Sequence, residues 1–207
     1  VPFSPALSMS FGTPRALRED EILDIIQRFA TSAAICEKAG FEGVQLHGAH
    51  GYLISQFLSP LTNKRQDQWG GSAENRMRFL LEIYKAVRAA TSEQFIISVK
   101  LNSADFQRGG ISEEDVIATF KAIDAAGIDL IEISGGSYEA PAMAGVKQEK
   151  RKASTIAREA YFLEFAEKIR EQVQCKLMVT GGFRTAAGMS AACLLYTSPS
   201  PRDGLLS

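Results

Sequence analysis

Apolar and polar positions follow two rhythms that take turns along the chain. In residues 18–39, Ile22, Ile25, Ile26, Phe29, Ala33 and Cys36 recur with the helical period, which predicts an amphipathic helix, and Gly40 stops it. A short apolar run over 43–46 predicts a strand, and a second helix is expected over about 73–90. The stretch FIISVKL, 95–101, is β-branched and reads as apolar on both faces, the pattern of a strand covered on both sides in a parallel sheet. After the polar loop NSADFQRGG, Ser112 is placed to cap a helix opening at Glu113, with Asp115 three residues on and Gly127 at its end. Residues 130–133 predict another strand, a long polar segment spans 137–157, a helix is expected over about 158–173, and 176–180 predict a further strand.

One pattern occurs twice. Residues 39–48 and 126–135 both read as helix end, glycine, apolar, acidic, strand, glycine, so two βα units are built alike inside a β-α-β-α alternation. That predicts an α/β fold with parallel strands. Polar candidates stand at the C-terminal ends of several different strands: His47, Lys100, Ser134 and Gly181. A barrel builds its site that way, whereas an open sheet gathers its ligand at one switch point. About four strands can be read, and a complete barrel takes ~250 residues. The expectation is therefore an incomplete (β/α)8 TIM barrel over 1–189, followed by a non-native or disordered tail over 190–207, where two prolines interrupt the helical pattern. The chain opens at Val1 in a loop rich in proline and serine, the start expected of a fragment.

Composition narrows the function. With 207 residues, 45% of them hydrophobic, and a formal charge of −1, the chain is an ordinary globular one. Acidic and basic residues alternate along the predicted helices and form no basic stripe, so nucleic acid is not an expected partner. No apolar run approaches the ~20 residues that span a bilayer, and the start lacks the pattern of a secretory signal. A cytoplasmic protein without a membrane partner is expected. Cys36, Cys175 and Cys193 are too few and too scattered for a disulfide framework or a metal cluster, and are expected as buried reduced thiols.

Both histidines of the chain lie in His47-Gly48-Ala49-His50-Gly51-Tyr52. Side chains three apart on a strand face opposite ways, so their joint action requires the strand to end near Leu46 and the chain to turn at Gly48. The pair can serve as hydrogen-bond donors, as packing for the turn, or as two ligands of a metal site, though no Cys, Asp or Glu stands beside them to complete a shell. Tyr52 begins GYLISQFL, whose helical spacing suits a core aromatic. Lys100 ends its strand and can simply reach for solvent. Gly181, Gly182 and Arg184 follow the last strand and precede a helix, a combination suited to a phosphate.

The run HGAHGYL, then QFLSP, Asn63, Arg65, Asp67 and GGS-x-ENR-x-RF, resembles the Old Yellow Enzyme family of FMN-dependent oxidoreductases, with shorter echoes at SVKLNSADF, EISGG and VTGGFRT. The resemblance covers about residues 2–188. It implies a (β/α)8 barrel whose fourth to seventh strands are present here, FMN at the barrel mouth, and hydride passed from NADH or NADPH through the flavin to an electron-poor alkene. It assigns His47 and His50 to the oxygen that activates the alkene, and Tyr52 to proton donation, a task open to a phenol of pKa ~10. Lys100 stands where the family has an arginine at the flavin's pyrimidine edge, keeping the charge without the planar fork. Gly181, Gly182 and Arg184 become the phosphate site. Asn63, Arg65, Asp67, Gly70, Gly71, Asn75 and Arg76 become a hydrogen-bonded loop at the site's rim, and Trp69 is expected to face the substrate. Substrate choice is expected in the segment after Gly136, including Tyr138 and Met143. Two alternatives stand beside this one: the related branch with an iron–sulfur cluster that reduces dienoyl thioesters, and an inactive half-barrel that hides its open edges by pairing with a second copy.

Overall fold

The computed structural model describes residues 14–105, 109–136, 162–180, 183 and 185–197. In chain order the elements are α1 (Glu19–Lys38), β1 (Gly43–Gly48), α2 (Leu53–Leu58), α3 (Ala73–Ala90), β2 (Ile96–Asn102), α4 (Glu113–Ala125), β3 (Leu130–Ser134), α5 (Leu163–Arg170), β4 (Lys176–Val179) and α6 (Ala186–Thr197). Helix starts are set by side chains: Ser72 Oγ accepts from Asn75 N at 3.3 Å, and Ser112 Oγ from Asp115 N at 3.2 Å. The duplicated glycines end helices. Gly40 and Gly127 take φ of 93° and 97°, the left-handed turn that sends α1 and α4 back toward the next strand. Expected elements 158–161 and the segment 137–157 with Tyr138 and Met143 lie outside the described residues. Helix α6 runs across position 189 to Thr197.

The strands form one parallel sheet in the order β1-β2-β3-β4, which is also their order in the chain. Among the described residues the order never reverses, so no switch point of an open sheet is seen there. Leu46, Ile97, Val99, Leu101, Ile131, Ile133 and Leu177 belong to one buried apolar cluster with Ile22, Phe79, Leu80, Ile83, Phe120, Ile123 and Ile169 from the helices. The opposite face carries Gln45 and His47, Ser98, Lys100 and Asn102, Glu132 and Ser134, then Thr180. The strand read as apolar on both faces therefore alternates. Ile97, Val99 and Leu101 meet helices, whereas Ser98, Lys100 and Asn102 form part of a polar face, and among the described residues helices cover one side alone. No helix among the described residues is long and apolar enough to cross a membrane.

Between α2 and α3 the chain makes a tightly bonded loop. Asn63 Nδ2 donates to Phe57 O and Trp69 O, both at 2.8 Å, while its Oδ1 accepts from Arg65 N at 3.1 Å. Arg65 forks onto Asp67 and also reaches Leu17 O at 2.6 Å. Buried Arg76 donates to Leu58 O at 3.0 Å and Gly71 O at 2.6 Å and pairs with Asp115 of α4. Gly70 is required by close approach, since a Cβ there would lie 2.7 Å from Arg65 O. Trp69 corrects the expectation made for it. Its ring is 3% exposed and packs edge-on to Phe79 at 6.5 Å, because the Asn63 and Asp67 bonds fold it into the helix-side core, away from the polar face. Asn63→Ala would leave the Phe57 and Trp69 carbonyls without these donors, and we expect urea unfolding to show a loss of about 2–3 kcal/mol.

Candidate functional site

The two histidines meet, though by a different route from the one the sequence suggested. Strand β1 does not stop near Leu46 but continues through His47 to Gly48, and the turn comes later, at His50 and Gly51, with φ of 62° and 82°. Gly48 serves a close approach instead: a Cβ there would sit 2.9 Å from Leu101 Cδ2 and 3.0 Å from Lys100 O. The left-handed step at His50 swings its ring back over the strand. The His47 and His50 ring centroids are 5.3 Å apart and edge-on, and the Tyr52 ring lies 4.7 Å from His47. Tyr52 is 43% exposed just before α2, so it is no core aromatic.

A side chain with Cβ rarely takes φ near 60°, and here partners from two other strands hold it. His50 N donates to Asn102 Oδ1 at 3.2 Å. His50 Nε2 lies 2.8 Å from Ser134 Oγ. Asn102 is itself anchored, its Nδ2 donating to Asp105 Oδ1 at 3.0 Å and to Gly136 O at 2.9 Å.

Next to the histidines runs a row fixed by register: His47 of β1 pairs with Lys100 of β2, and Lys100 with Glu132 of β3. Lys100 Nζ contacts Glu132 Oε1 at 2.7 Å, so the lysine meets a buried carboxylate rather than solvent. Glu132 is 4% exposed and also accepts from Thr180 Oγ1 and from Gln45. Burial alone would raise its carboxyl, but the bonds from Lys100, Thr180 and Gln45 outweigh this and hold it below the usual carboxylate range. Burial also pushes both imidazoles below 6.5. The Lys100 charge adds to that at His47, the neighbouring His47 and then Lys100 add to it at His50, and Glu132 opposes it at both. The pair is therefore neutral near pH 7, each ring with one N–H to donate and one nitrogen to accept.

Gln45, Asn102, Asp105 and Glu132 carry no prediction from the sequence. The available signal was the period-two spacing of Ser98, Lys100 and Asn102, and of Glu132 and Ser134, inside otherwise apolar strands. Gly181, Gly182 and Arg184 lie outside the described residues. Among the described residues no group of three or more His, Cys, Asp or Glu could hold a metal ion. Of the cysteines, Cys36 and Cys175 are half-buried and Cys193 is exposed, which corrects the expectation that all three are buried. Burial, with Asp124 beside it, pushes the Cys175 thiol up to about 12.

Known proteins match over most of this chain. A sequence model described as the NADH:flavin oxidoreductase / NADH oxidase family matches residues 5–194. The chain is 41% identical over 184 residues to the NADH-dependent flavin oxidoreductase iccE of Talaromyces variabilis, covering 88% of this chain and 44% of that protein. It is 41% identical over 143 residues to an NADPH dehydrogenase of Clostridium acetobutylicum, covering 69% of this chain and 42% of the relative. The chain thus spans less than half the length of these curated relatives. Among solved structures, a 2-naphthoyl-CoA reductase in complex with 2-naphthoyl-CoA superposes with a TM-score of 0.77 at 30% identity, over 90% of this chain and 27% of the other. An old yellow enzyme homologue from Zymomonas mobilis gives 0.67 at 26%, over 89% of this chain and 48% of that one.

The electrostatics of the row predict how the histidines titrate. In an NMR pH titration both imidazoles should change protonation below 6.5. Glu132→Gln should lower both midpoints further, because the opposing negative charge is lost; Lys100→Met should raise that of His47. A His47 midpoint indifferent to Lys100→Met would contradict the arrangement. The unfolded chain takes up these protons at a higher pH than the folded one, so stability should fall as pH drops below 6.5.

Proposed function

Since this chain belongs to the NADH:flavin oxidoreductase / NADH oxidase family, we propose that it carries the substrate side of an FMN-dependent enzyme that uses NADH or NADPH to reduce activated C=C bonds, such as those of enals and enones. The observation that supports this most directly is the meeting of His47, His50 and Tyr52 beside the Lys100–Glu132 pair on the polar face of the sheet. In this reading the four parallel strands are the fourth to seventh of a (β/α)8 barrel and that face looks into it.

The donor set suits a flavin. Lys100 presents a cation on the polar face, in the register row that also contains a histidine, and can meet the electron-rich pyrimidine edge. Gly181, Gly182 and Arg184 would hold the phosphate through backbone N–H groups and a guanidinium fork. FMN, when bound and reduced by NADH or NADPH, supplies the hydride chemistry. The chain's own residues do the rest. His47 and His50, neutral and close together, each offer an N–H to the carbonyl or nitro oxygen that polarises the alkene. Negative charge grows on that oxygen as the β-carbon is reduced, and each fixed donor is worth ~3 kcal/mol to that change. Tyr52, with its ring against His47, delivers its phenolic proton to the α-carbon.

An FMN titration of the 207-residue chain, followed by flavin fluorescence and visible absorbance, tests the reading. Saturable one-to-one binding is expected, weakened about tenfold to a hundredfold in Lys100→Ala, the range for a lost charge-assisted contact. Folded protein that binds no FMN would count against it. In FMN-loaded protein, His47→Ala should slow enone reduction by ~100-fold while flavin reduction by the nicotinamide proceeds as before.

A further inference from the structure

Ser134 closes β3 with 0% of its surface exposed, and its Oγ lies 2.8 Å from His50 Nε2. Building on the reading of His50 as a donor to substrate, we propose that Ser134 is a positioning residue that fixes the tautomer of His50: the serine hydroxyl donates to Nε2, and Nδ1–H is left as the ring's donor to the substrate oxygen.

Hydrogen counting supports the assignment. A neutral imidazole has one N–H and one lone-pair nitrogen, and a serine hydroxyl has a single hydrogen with room to accept. If Nε2 carried the hydrogen, Ser134 would accept it and its own hydrogen would need another acceptor. Ser134 is sealed from solvent, and among the described residues its hydroxyl contacts His50 Nε2 alone. A buried hydroxyl hydrogen left unpaired costs about 1–3 kcal/mol. Free histidine in water prefers the opposite tautomer, with hydrogen on Nε2, by less than that, so burial of the serine decides the balance.

The ring cannot easily leave this arrangement. His50 N is bound by Asn102 Oδ1 at 3.2 Å, and Asn102 is held in turn by Asp105 and Gly136. Its backbone is therefore pinned from β2 while its ring is held from β3. Partial burial and the nearby His47 and Lys100 favour the neutral ring, the form in which a choice of tautomer exists.

The chain contains two histidines, which makes the test direct. In chain labelled with 15N-histidine, free of flavin and above the titration range, a long-range 1H–15N spectrum reads each ring's tautomer; His47→Asn identifies the His50 signals. The expected pattern for His50 is a protonated Nδ1 and an unprotonated Nε2. Ser134→Ala should shift it to the Nε2–H form of free histidine, and Ser134→Thr should restore Nδ1–H. A protonated Nε2 in the unaltered chain would overturn the proposal even if the variants fail to fold, and so would Ser134→Ala that keeps Nδ1–H. Because the spectrum is taken without flavin, failure of FMN to bind would sink the enzyme reading, and with it the donor role toward substrate, while the tautomer assignment is decided separately by the spectrum.

Discussion

Glu132 is a carboxylate taken almost wholly out of water, and a buried charge left without partners costs several kcal/mol. Its partners come from every strand of the sheet: Gln45 from β1, Lys100 from β2, and Thr180 from the residue after β4, with Glu132 itself on β3. One acidic side chain thus ties the four strands together on the face where, among the described residues, no helix packs. The same bonds set the electrostatics of the site, because they place a cation next to His47 and a compensating anion behind it. Structure and chemistry on this face therefore depend on a single group.

The other face obeys a different economy. There the strands contribute only apolar side chains, and the helices close over them with Ile22, Phe79, Ile83, Phe120 and Ile169. Parallel strands with helices on one side need sharp returns at helix ends, which Gly40 and Gly127 provide. From the bonded loop 59–72, Arg65 reaches Leu17 just before α1, while Arg76 of α3 holds Gly71 of that loop and Asp115 of α4. The apolar packing and the bonded loop lie on the helix side of the sheet, and polar side chains are presented on the other.

Much of this was legible in the sequence where the signal is local. The helix start at Ser112, the glycine stops, the strands and the parallel α/β order follow from short-range patterns. The motif around His47 and His50 pointed to the site because several residues of one kind of chemistry lie close in sequence. What escaped was non-local. Joint action of the two histidines asks for a turn at Gly48, yet the left-handed step falls on His50, stabilised by partners 52 and 84 residues away. Glu132 carries no expectation from its own strand, and only the register sets it beside Lys100. The resemblance points Trp69 toward the substrate, and the Phe79 ring it packs against shows only in the fold.

The left-handed backbone at His50 also limits how this position can change over evolutionary time. Asparagine and aspartate are the other side-chain residues that tolerate such a φ well, whereas valine, isoleucine and threonine are penalised there before any chemistry is considered. Of the two permitted replacements, only asparagine offers an N–H to an acceptor at neutral pH. The backbone alone thus channels drift at this site toward a single alternative donor, one whose amide has no tautomer for Ser134 to choose.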